Sequence, residues 1–498
     1  MNVNPITRLD YPDPDVIRVE DTYYMVSTTM HFMPGCEILQ SFDLVHWEHA
    51  TYVYETLDHT DAQQLKSGQN IYGQGMWAAS LRYHEGRFWI CFVANDTRKT
   101  YLYTSEKIDG PWKKQLIEGF YHDGSLLFDE DGRNYIVYGN DEIWITELNE
   151  DLTAPKKDGL HRLLVSDHKN PELGYEGSHI QKINGYYYIF LVHSLRDRWM
   201  RTEACFYSDS LEGEFTGGDV LCDDRGYCGQ GVAQGGIVDT PDGKWYAMLF
   251  QDSGAVGRIP ILLPVTWKDH FPFFGQNGHV PEEIEVHSTR PGYIYQPLVG
   301  SDDFCNGLLP RWQFNHDPDP RYYHLDALQG TYTITTREVC TELTQAVNTL
   351  TQRMSYPSCA AEVTVDASAL KEGDVAGLCA FQGCYAAVGI TKHHGKYEVL
   401  MLDKKEDGIL DMTEGTVVES HQMDFRLEAD FCNMKDEARC YYRVNKGDWL
   451  PIGTVHKLYF KLDHFTGCRF GLFCYAAEET GGSACFRDFK YYDVDEIS

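Results

Sequence analysis

The sequence predicts an all-β protein in which a five-bladed β-propeller, residues 1–298, is followed by a β-sandwich, residues 299–498. A strand–turn–strand unit recurs five times in about the first 300 residues, and strand-like segments then continue without a helical period. The 498 residues also exceed the roughly 250–300 at which a single core stops growing. The 43% hydrophobic content is ordinary for folded domains.

Each copy of the repeat consists of an apolar strand, a tight turn and a second strand rich in Tyr, Trp and Val. Turns such as Asn184-Gly185 tolerate positive φ, which is typical of β-hairpins. One aromatic residue anchors each second strand, and the anchors lie 46 to 65 residues apart: Tyr24, Trp89, Tyr135, Tyr188 and Tyr246. Strand-dominated units of this size favour propeller blades of four strands over solenoid repeats.

One residue occupies an equivalent place upstream of each anchor. Trp77, Asp123, Glu176 and Gln234 precede their anchors by twelve residues, and Asp13 precedes Tyr24 by eleven, across a shorter turn. The first strand of every blade lines the central channel of a propeller. We therefore expect one polar or aromatic side chain from each blade at one mouth of that channel.

The repeat stops after Pro291-Gly292-Tyr293, and residues 300–304 are predicted as the junction between the domains. Beyond it, short strands are predicted at 332–335, 361–365, 386–390 and 469–473. Strands at short intervals with no helical period favour a β-sandwich, and about 200 residues suffice for an independent core.

Composition excludes several classes of protein. With 75 acidic and 43 basic residues the net charge is −32, so nucleic acid would be repelled. The sequence has no apolar run long enough to predict a membrane span. Its N-terminus has no basic region followed by an apolar stretch, so we expect no secretion signal. The 15 cysteines lack metal-site spacing and are typical of reduced thiols. We expect a cytoplasmic protein, and the sequence leaves homo-oligomerisation open.

The acids Asp13, Asp123 and Glu176 indicate hydrolysis of a glycosidic bond. One carboxylic acid must protonate the leaving oxygen, and a second carboxylate must activate water or attack the anomeric carbon. A third acid nearby would raise the pKa of the proton donor by disfavouring another negative charge. Asp15 shares a face with Asp13 if the segment is extended, so alternation does not choose between them. We expect His122 to be structural.

A set of motifs is distributed over nearly the whole chain. In the first domain they are Tyr11-Pro12-Asp13-Pro14, Phe32-Met33-Pro34-Gly35, Met76-Trp77-Ala78-Ala79, the segments around Asp123 and Glu176, and Val256-Gly257-Arg258. In the second domain they are residues 303–316 and 348–353. Together these motifs resemble the family 43 glycoside hydrolases, β-xylosidases and α-L-arabinofuranosidases with a five-bladed propeller. The second domain is similar to the C-terminal, concanavalin-like sandwich of the xylosidase branch.

The resemblance implies an inverting mechanism and a role for each residue. Asp13 would be the general base, Glu176 the general acid, and Asp123 the residue that tunes the pKa and orientation of Glu176. The substrate-binding positions would be Arg258, Trp77, Phe32 and Gln234. Inversion predicts that the carboxyl groups of Asp13 and Glu176 lie about 6.5–9.5 Å apart, which leaves room for a water molecule.

The chain departs from the family pattern at Gln234, where many xylosidases have a channel histidine that in some members accompanies a bound calcium ion. An amide is a poorer ligand, so we expect no metal, and we expect no cofactor. Asp15 stands where many members carry serine, which adds negative charge close to the proposed base.

These features predict an exo-glycosidase of xylan degradation. It would release xylose, terminal α-L-arabinofuranose or both from the non-reducing ends of short xylo-oligosaccharides, in a pocket closed on one side by the C-terminal domain. One alternative is a retaining fructosidase-like propeller hydrolase. Enzymes of that kind carry an Asn-Asp-Pro motif, and the segment Tyr11-Pro12-Asp13-Pro14 does not match it. The other alternative is a non-catalytic sugar-binding propeller. The presence of Asp13, Asp123 and Glu176 at equivalent positions of three blades argues against it.

Overall fold

The computed structural model describes residues 2–413 and 415–493. In these residues the strands form five four-stranded sheets, two larger sheets and one two-stranded sheet. Helical structure in the same residues is limited to four 3-10 turns, at Lys66–Gly68, Gly254–Val256, Leu343–Gln345 and Cys432–Met434. The predicted all-β fold, a five-bladed propeller followed by a β-sandwich, is confirmed.

Each propeller blade is one antiparallel sheet with its strands hydrogen-bonded in chain order. Blade 1 contains β2 (Asp15–Val19), β3 (Thr22–Ser27), β5 (Gly35–Ser41) and β6 (Glu48–Tyr54). Blade 2 contains β7 (Met76–His84), β8 (Arg87–Ala94), β9 (Lys99–Ser105) and β10 (Lys113–Ile117). Blade 3 contains β11 (Ser125–Phe128), β12 (Asn134–Asn140), β13 (Glu142–Leu148) and β14 (His161–Ser166). Blade 4 contains β15 (Glu176–Ile183), β16 (Tyr186–Ser194), β17 (Arg201–Ser208) and β18 (Thr216–Leu221). Blade 5 contains β19 (Val232–Asp239), β20 (Trp245–Asp252), β21 (Arg258–Lys268) and β22 (Phe271–Phe274).

Two-residue turns fix the register of hairpins in the blades. At Asn184-Gly185 both residues have positive φ, 50° and 85°, and the flanking Ile183 and Tyr186 pair directly. This is the type I′ arrangement, whose backbone twist matches that of the flanking strands. Glu85-Gly86 has the same pattern in blade 2. These turn residues therefore determine which side chains of β7 and β15 face the channel.

The first strands of the blades stand side by side around the central channel. Hydrogen bonds join neighbouring first strands, and their donor–acceptor pairs are Leu81–Asp15, Leu126–Ser80, Ile180–Ser125 and Gln181–Ile237. An ion pair between Arg18 and Asp239 joins blade 5 to blade 1. The ring is also closed outside the channel, where β1 (Asn2–Val3) pairs with β23 (Glu283–Ile284).

The sandwich consists of a nine-stranded and a seven-stranded sheet. The larger sheet contains β24 (Gln313–Asn315), β27 (Leu350–Arg353), β29 (Val375–Phe381), β30 (Ala386–His393), β31 (Lys396–Lys404), β32 (Leu410–Met412), β33 (Thr416–Val418), β37 (Arg469–Tyr475) and β4 (Phe32–Met33). The smaller sheet contains β25 (Tyr323–Asp326), β26 (Thr331–Thr335), β28 (Ser358–Asp366), β34 (Gln422–Asp430), β35 (Glu437–Val444), β36 (Leu450–Lys457) and β38 (Ser483–Asp493). Alternate residues of both sheets, among them Val363, Phe425 and Leu378, form one buried core between them.

The propeller and the sandwich are joined by more than the covalent chain. Strand β4 leaves blade 1 and pairs with β24, so that Met33 lies opposite Phe314 at the edge of the larger sandwich sheet. Nearby, Arg353 of the sandwich forms a buried ion pair with Glu37 of blade 1 at 2.8 Å. Burial alone would raise the pKa of Glu37, but the Arg353 charge lowers it to about 2. The two domains therefore share both a sheet and a buried charge pair.

Two further findings concern the chain as a whole. Among the described residues, no helix has the length and apolar character needed to cross a membrane. All 15 cysteines lie in the part of the chain that the structure describes, and each is a free thiol.

Candidate active site

A cavity of about 800 Å³ opens at the end of the channel where the first strands of the blades begin. Blades 2 to 5 and the sandwich all contribute to its walls. The lining residues are Trp77, Asn95, Arg98, Phe120, His122, Asn140, Leu173, Glu176, Trp199, Arg201, Gln230, Asp252, Gly254, Met434, Phe460, Lys461, Leu462 and Phe465. Its size and its mixture of aromatic and polar side chains are typical of a small-molecule site.

The three predicted acids lie at equivalent positions of three blades. Asp13 and Asp123 each precede the first strand of their blade by two residues, and Glu176 is the first residue of β15. Glu176 lines the cavity, whereas Asp13 and Asp123 are buried. The N–H of Gly177 donates to Asp123 Oδ2 at 3.0 Å, which connects the second acid to the third.

The backbone at position 177, directly after Glu176, requires a glycine. The register of the β15–β16 pair shifts between Glu176 and His179, and Gly177 has a positive φ of 65°. A Cβ atom at this position would come within 2.7 Å of Gln234 Cγ. Only glycine combines this backbone conformation with this close contact.

Asp13 and Asp15 have different surroundings, which separates the two residues that alternation leaves equivalent. Asp13 Oδ1 accepts a hydrogen bond from Arg258 Nη1 at 2.8 Å, and Asp13 Oδ2 accepts one from Thr28 at 2.6 Å. Asp15 lies deeper in the channel, where it accepts from the Leu81 N–H and from Arg82, both at 2.8 Å. Burial opposes ionisation of Asp15, but Arg82 and His179 lower its pKa below the usual value.

His122 is the main site residue that the sequence did not identify, and the expectation that it is structural is not met. It lines the cavity with Nε2 3.4 Å from Glu176 Oε2 and 3.6 Å from Asp123 Oδ2. The negative charge of Asp123, followed by Glu176, raises the pKa of His122 to about 9. Burial, then Glu176 and Asp13, raises the pKa of Asp123 to about 6 although His122 opposes this. The sequence signal that could have identified His122 is its position directly before Asp123.

Glu176 is held from one side. Asn140 Nδ2 donates to Glu176 Oε2 at 2.7 Å, and His122 contacts the same oxygen. Glu176 Oε1 has no hydrogen-bond partner among residues 2–413 and 415–493. One carboxyl oxygen is therefore fixed while the other is open to a ligand in the cavity.

Arg258 begins β21 and is almost completely buried. Its guanidinium carbon lies 4.4 Å from the centre of the Phe465 ring, and its Nε and Nη2 have no partner in the described chain. Two donors of cavity-lining residues also have no partner in the described chain: Trp77 Nε1 and Asn95 Nδ2. Because a buried donor without an acceptor costs about 1–3 kcal/mol, these groups indicate a ligand with hydroxyl groups.

The remaining predicted binding residues are placed differently. Trp77 lines the cavity, as expected, and its ring lies 5.7 Å from that of Phe465. Phe32 does not line it: the ring is fully buried between the domains, 3.5 Å below the Arg469 guanidinium, because β4 belongs to the sandwich sheet. Gln234 lies behind Gly177 rather than in the cavity wall.

The sandwich supplies the outer wall through the segment between β36 and β37, which contains Phe460, Leu462 and Phe465. This segment is anchored to the propeller, since Gly467 N–H donates to Asp10 Oδ2 and Cys468 N–H donates to the Ala255 carbonyl, both at 2.8 Å. Asp10 Oδ1 in turn accepts from the Arg258 N–H at 2.7 Å. One carboxylate therefore positions both the closing segment and Arg258.

Within the described residues, one cluster has metal-ligand types, but its electrostatics oppose a bound cation. The possible ligand atoms of His122, Asp123 and Glu176 lie within 4.8 Å of one another, and the raised pKa of His122, about 9, disfavours the neutral imidazole that a metal needs. Near Gln234, burial raises the pKa of Glu203 well above its usual value, which disfavours the charged carboxylate that calcium prefers.

Comparison with known proteins agrees with this geometry. Residues 3–272 match the family model described as glycosyl hydrolases family 43. The chain belongs to this family. Residues 301–492 match the beta xylosidase C-terminal concanavalin A-like domain, which identifies the type of sandwich. The protein is therefore a family 43 glycoside hydrolase with a concanavalin-like second domain.

Relatives of this family 43 enzyme extend over both domains. It is 26% identical to a beta-xylosidase of Formosa agariphila, covering 99% of this chain and 89% of the relative. It is also 26% identical to xylosidase/arabinosidase 43B of Humicola insolens, covering 98% and 96%. A solved structure described as a bifunctional GH43-CE protein of Bacteroides eggerthii is 42% identical with a TM-score of 0.93. That match covers 100% of this chain but 64% of the other.

Proposed function

We propose that the protein is an inverting exo-glycosidase that releases xylose, terminal α-L-arabinofuranose or both from the non-reducing ends of short xylo-oligosaccharides. The observation that carries this proposal is the arrangement of three acids at one channel mouth, where Glu176 is the one of the three that lines the cavity. Relatives described as a beta-xylosidase and a xylosidase/arabinosidase support pentosides as substrates.

The surroundings of the acids support a division of roles. Asp13, paired with Arg258, is the proposed general base that takes a proton from water as the water attacks the anomeric carbon. Glu176, with Oε1 open, is the proposed general acid that protonates the leaving oxygen on the opposite side. Asp123 contacts both Gly177 and His122, and it is the proposed residue that sets the position and charge balance of Glu176.

The wall that the sandwich adds on one side of the site supports exo-action. The first strands of the blades form the floor, and Phe460 and Phe465 of the sandwich form a wall beside Arg258. A terminal sugar fits such a pocket, whereas the middle of a long polymer needs an open groove. The free thiols support a reducing compartment, so we include in the proposal a cytoplasmic enzyme acting on imported oligosaccharides.

The test compares wild type with Glu176→Gln on xylobiose, an aryl β-xyloside and an aryl α-L-arabinofuranoside. The variant keeps the size of the side chain but cannot donate the acid proton. We expect kcat on xylobiose to fall by about 10²–10⁴-fold, and less on substrates with an activated aryl group, which needs little protonation.

Glu130→Gln, at the opposite mouth of the channel, is the matched control and should leave kcat unchanged. Equal rates of wild type and Glu176→Gln on xylobiose would remove Glu176 from the acid role. Proton NMR of the first-formed sugar tests inversion. A retained anomer would contradict the mechanism and favour the fructosidase-like alternative.

A further inference from the structure

We propose that the rim of the cavity binds the leaving-group part of the substrate and that Arg98 there recognises a carboxylate, namely a uronic acid substituent. This inference rests on the proposed function and deepens it, since it concerns which xylo-oligosaccharides the site prefers. Arg98 lies in the connection between β8 and β9, and it lines the cavity from blade 2.

The charge balance around the cavity singles out Arg98. Of the other lining cations, Arg201 pairs with Asp252 at 2.9 Å, Lys461 pairs with Glu406, and His122 contacts Glu176. Arg98 has no carboxylate within 4.0 Å in the described ranges 2–413 and 415–493. This is notable in a chain with 75 acidic residues and 43 basic ones, and it leaves one cation free to meet an anionic ligand.

The geometry of Arg98 suits a carboxylate. Its guanidinium carbon lies over the Phe120 ring, 3.9 Å from the ring centre, so the ring packs against the guanidinium. Stacking of this kind fixes the plane of the group while its N–H edges stay accessible. Those edges make no hydrogen bond to any described residue. A planar fork with free edges matches the two oxygens of a carboxylate.

The position of Arg98 assigns it to the leaving group. Asp13, Asp123 and Arg258 are buried at the floor, where the sugar to be released must bind. Arg98 is exposed, and it shares the rim with Trp199 and Leu462, whose side chains are 44% and 69% exposed. Apolar surface at the edge of a polar cavity suits the face of a second sugar ring. A uronic acid on that ring would lie within the part of the cavity that Arg98 lines.

The expected preference is modest because Arg98 is exposed. An exposed ion pair of about 0.2–1 kcal/mol corresponds to at most about a fivefold change in binding. Salt should weaken it, since the Debye length shortens from about 10 Å at 0.1 M to about 3 Å at 1 M. A purely structural role of Arg98 would not produce a preference that depends on the substrate's charge.

The experiment measures kcat/KM on three substrates: xylobiose, a xylo-oligosaccharide with a uronic acid branch on the residue next to the cleaved one, and its carboxyl-reduced form. Wild type is compared with Arg98→Gln. Arg87→Gln serves as the control, because Arg87 is an exposed arginine of the same blade that lies outside the cavity.

In wild type and Arg87→Gln we expect kcat/KM to be about two- to fivefold higher on the acidic substrate than on its reduced form, and this ratio should approach one in 1 M NaCl. In Arg98→Gln we expect a ratio near one already at low salt. A wild-type ratio of one or less, or a ratio that Arg98→Gln leaves intact, would overturn the proposal. Failure of wild type to cleave xylobiose would instead count against the proposed function.

Discussion

The two mouths of the propeller channel are built from the same five strands but treat their polar groups in opposite ways. The mouth away from the active site has a cavity of about 450 Å³ lined by Arg18, Arg82 and Lys182, among others. Arg82 alone donates to the carbonyls of Leu81, Leu126 and Ile180 and to the side chains of Asp15 and Ser125. Lys182 is paired with Asp129 and Glu130.

At the active-site mouth, by contrast, Trp77 Nε1, Asn95 Nδ2 and Asp252 Oδ1 are buried without a partner in the described chain. None of the described residues that line the opposite mouth has such an atom. Charge is present at both mouths and therefore does not distinguish them. The unpaired buried polar atoms do, because they keep hydrogen-bonding capacity for a ligand at the active-site mouth.

The largest expected effect comes from Asp13→Asn at the active-site mouth. The amide keeps an acceptor for Arg258 but cannot take a proton from water, so we expect kcat to fall by roughly 10³-fold. Asp13→Asn also breaks a buried ion pair, since the Arg258 side chain is 3% exposed, so the thermal midpoint should fall as well. Kinetics on xylobiose and thermal unfolding measure both quantities. Retention of more than a tenth of wild-type kcat would remove Asp13 from the proposed base role.

Asp15→Asn, two residues further along, should lower stability with little effect on kcat. It leaves the Arg82 charge in the channel without its carboxylate partner, and breaking a buried pair costs about 3–5 kcal/mol. We expect a lower free energy of unfolding in urea, while the folded fraction keeps a kcat within a few-fold of wild type. If Asp13→Asn and Asp15→Asn lowered stability and kcat equally, the distinction between the two ends of the channel would be broken.

The smallest effect tests unpaired atoms that lie away from the active-site cavity. His31 is fully buried between the domains, with its ring centre 4.3 Å from that of Phe32 and both ring nitrogens unpaired in the described residues. We expect His31→Phe to leave kcat unchanged and to stabilise the protein in mild acid. Urea unfolding of variant and wild type at pH 5, 6 and 7.5 measures this. Loss of activity in His31→Phe would show that unpaired polar atoms away from the cavity also serve the active site, against our expectation.

The pH dependence follows from the pKa of His31, which burial, then His316 and His464, lowers well below 6.5. The unfolded chain binds a proton near pH 6.5 and the folded chain does not. The stability from neutral His31 is therefore complete above about pH 6.5 and is lost as the pH falls. Below that pH, wild type should lose about 1.4 kcal/mol more per pH unit than the variant.

Local patterns explain why much of the fold could be predicted from the sequence. Hairpin turns such as Asn184-Gly185 and the alternation of the flanking strands depend on neighbouring residues, so the blades were identifiable. Because the anchor aromatics share one register, the starts of the first strands could be aligned, and with them Asp123 and Glu176. Asp13 could not be separated from Asp15, since the difference lies in partners such as Arg82 and Arg258 from other blades.

Long-range contacts explain what was missed. The closing segment with Phe460 and Phe465 has no repeat or motif, and it reaches the site only because Asp10 and Ala255 anchor its end. Phe32 was predicted to contact the sugar, but pairing of β4 with the sandwich sheet removes it from the cavity. His122 belongs to the site because it contacts the carboxylates of Asp123 and Glu176, and Glu176 lies 54 residues away in the sequence.

Strand β4 has a consequence for how such enzymes can be recombined. Because Phe32 and Met33 supply the edge of a sheet that otherwise belongs to residues 313–475, the covalent boundary and the hydrogen-bonding boundary fall at different places. A chimaera cut near residue 300 would separate β4 from its partner strand, and a grafted second domain would need an edge complementary to Phe32 and Met33. In this protein the two domains therefore form one hydrogen-bonded unit, and either one alone would lack part of that shared sheet.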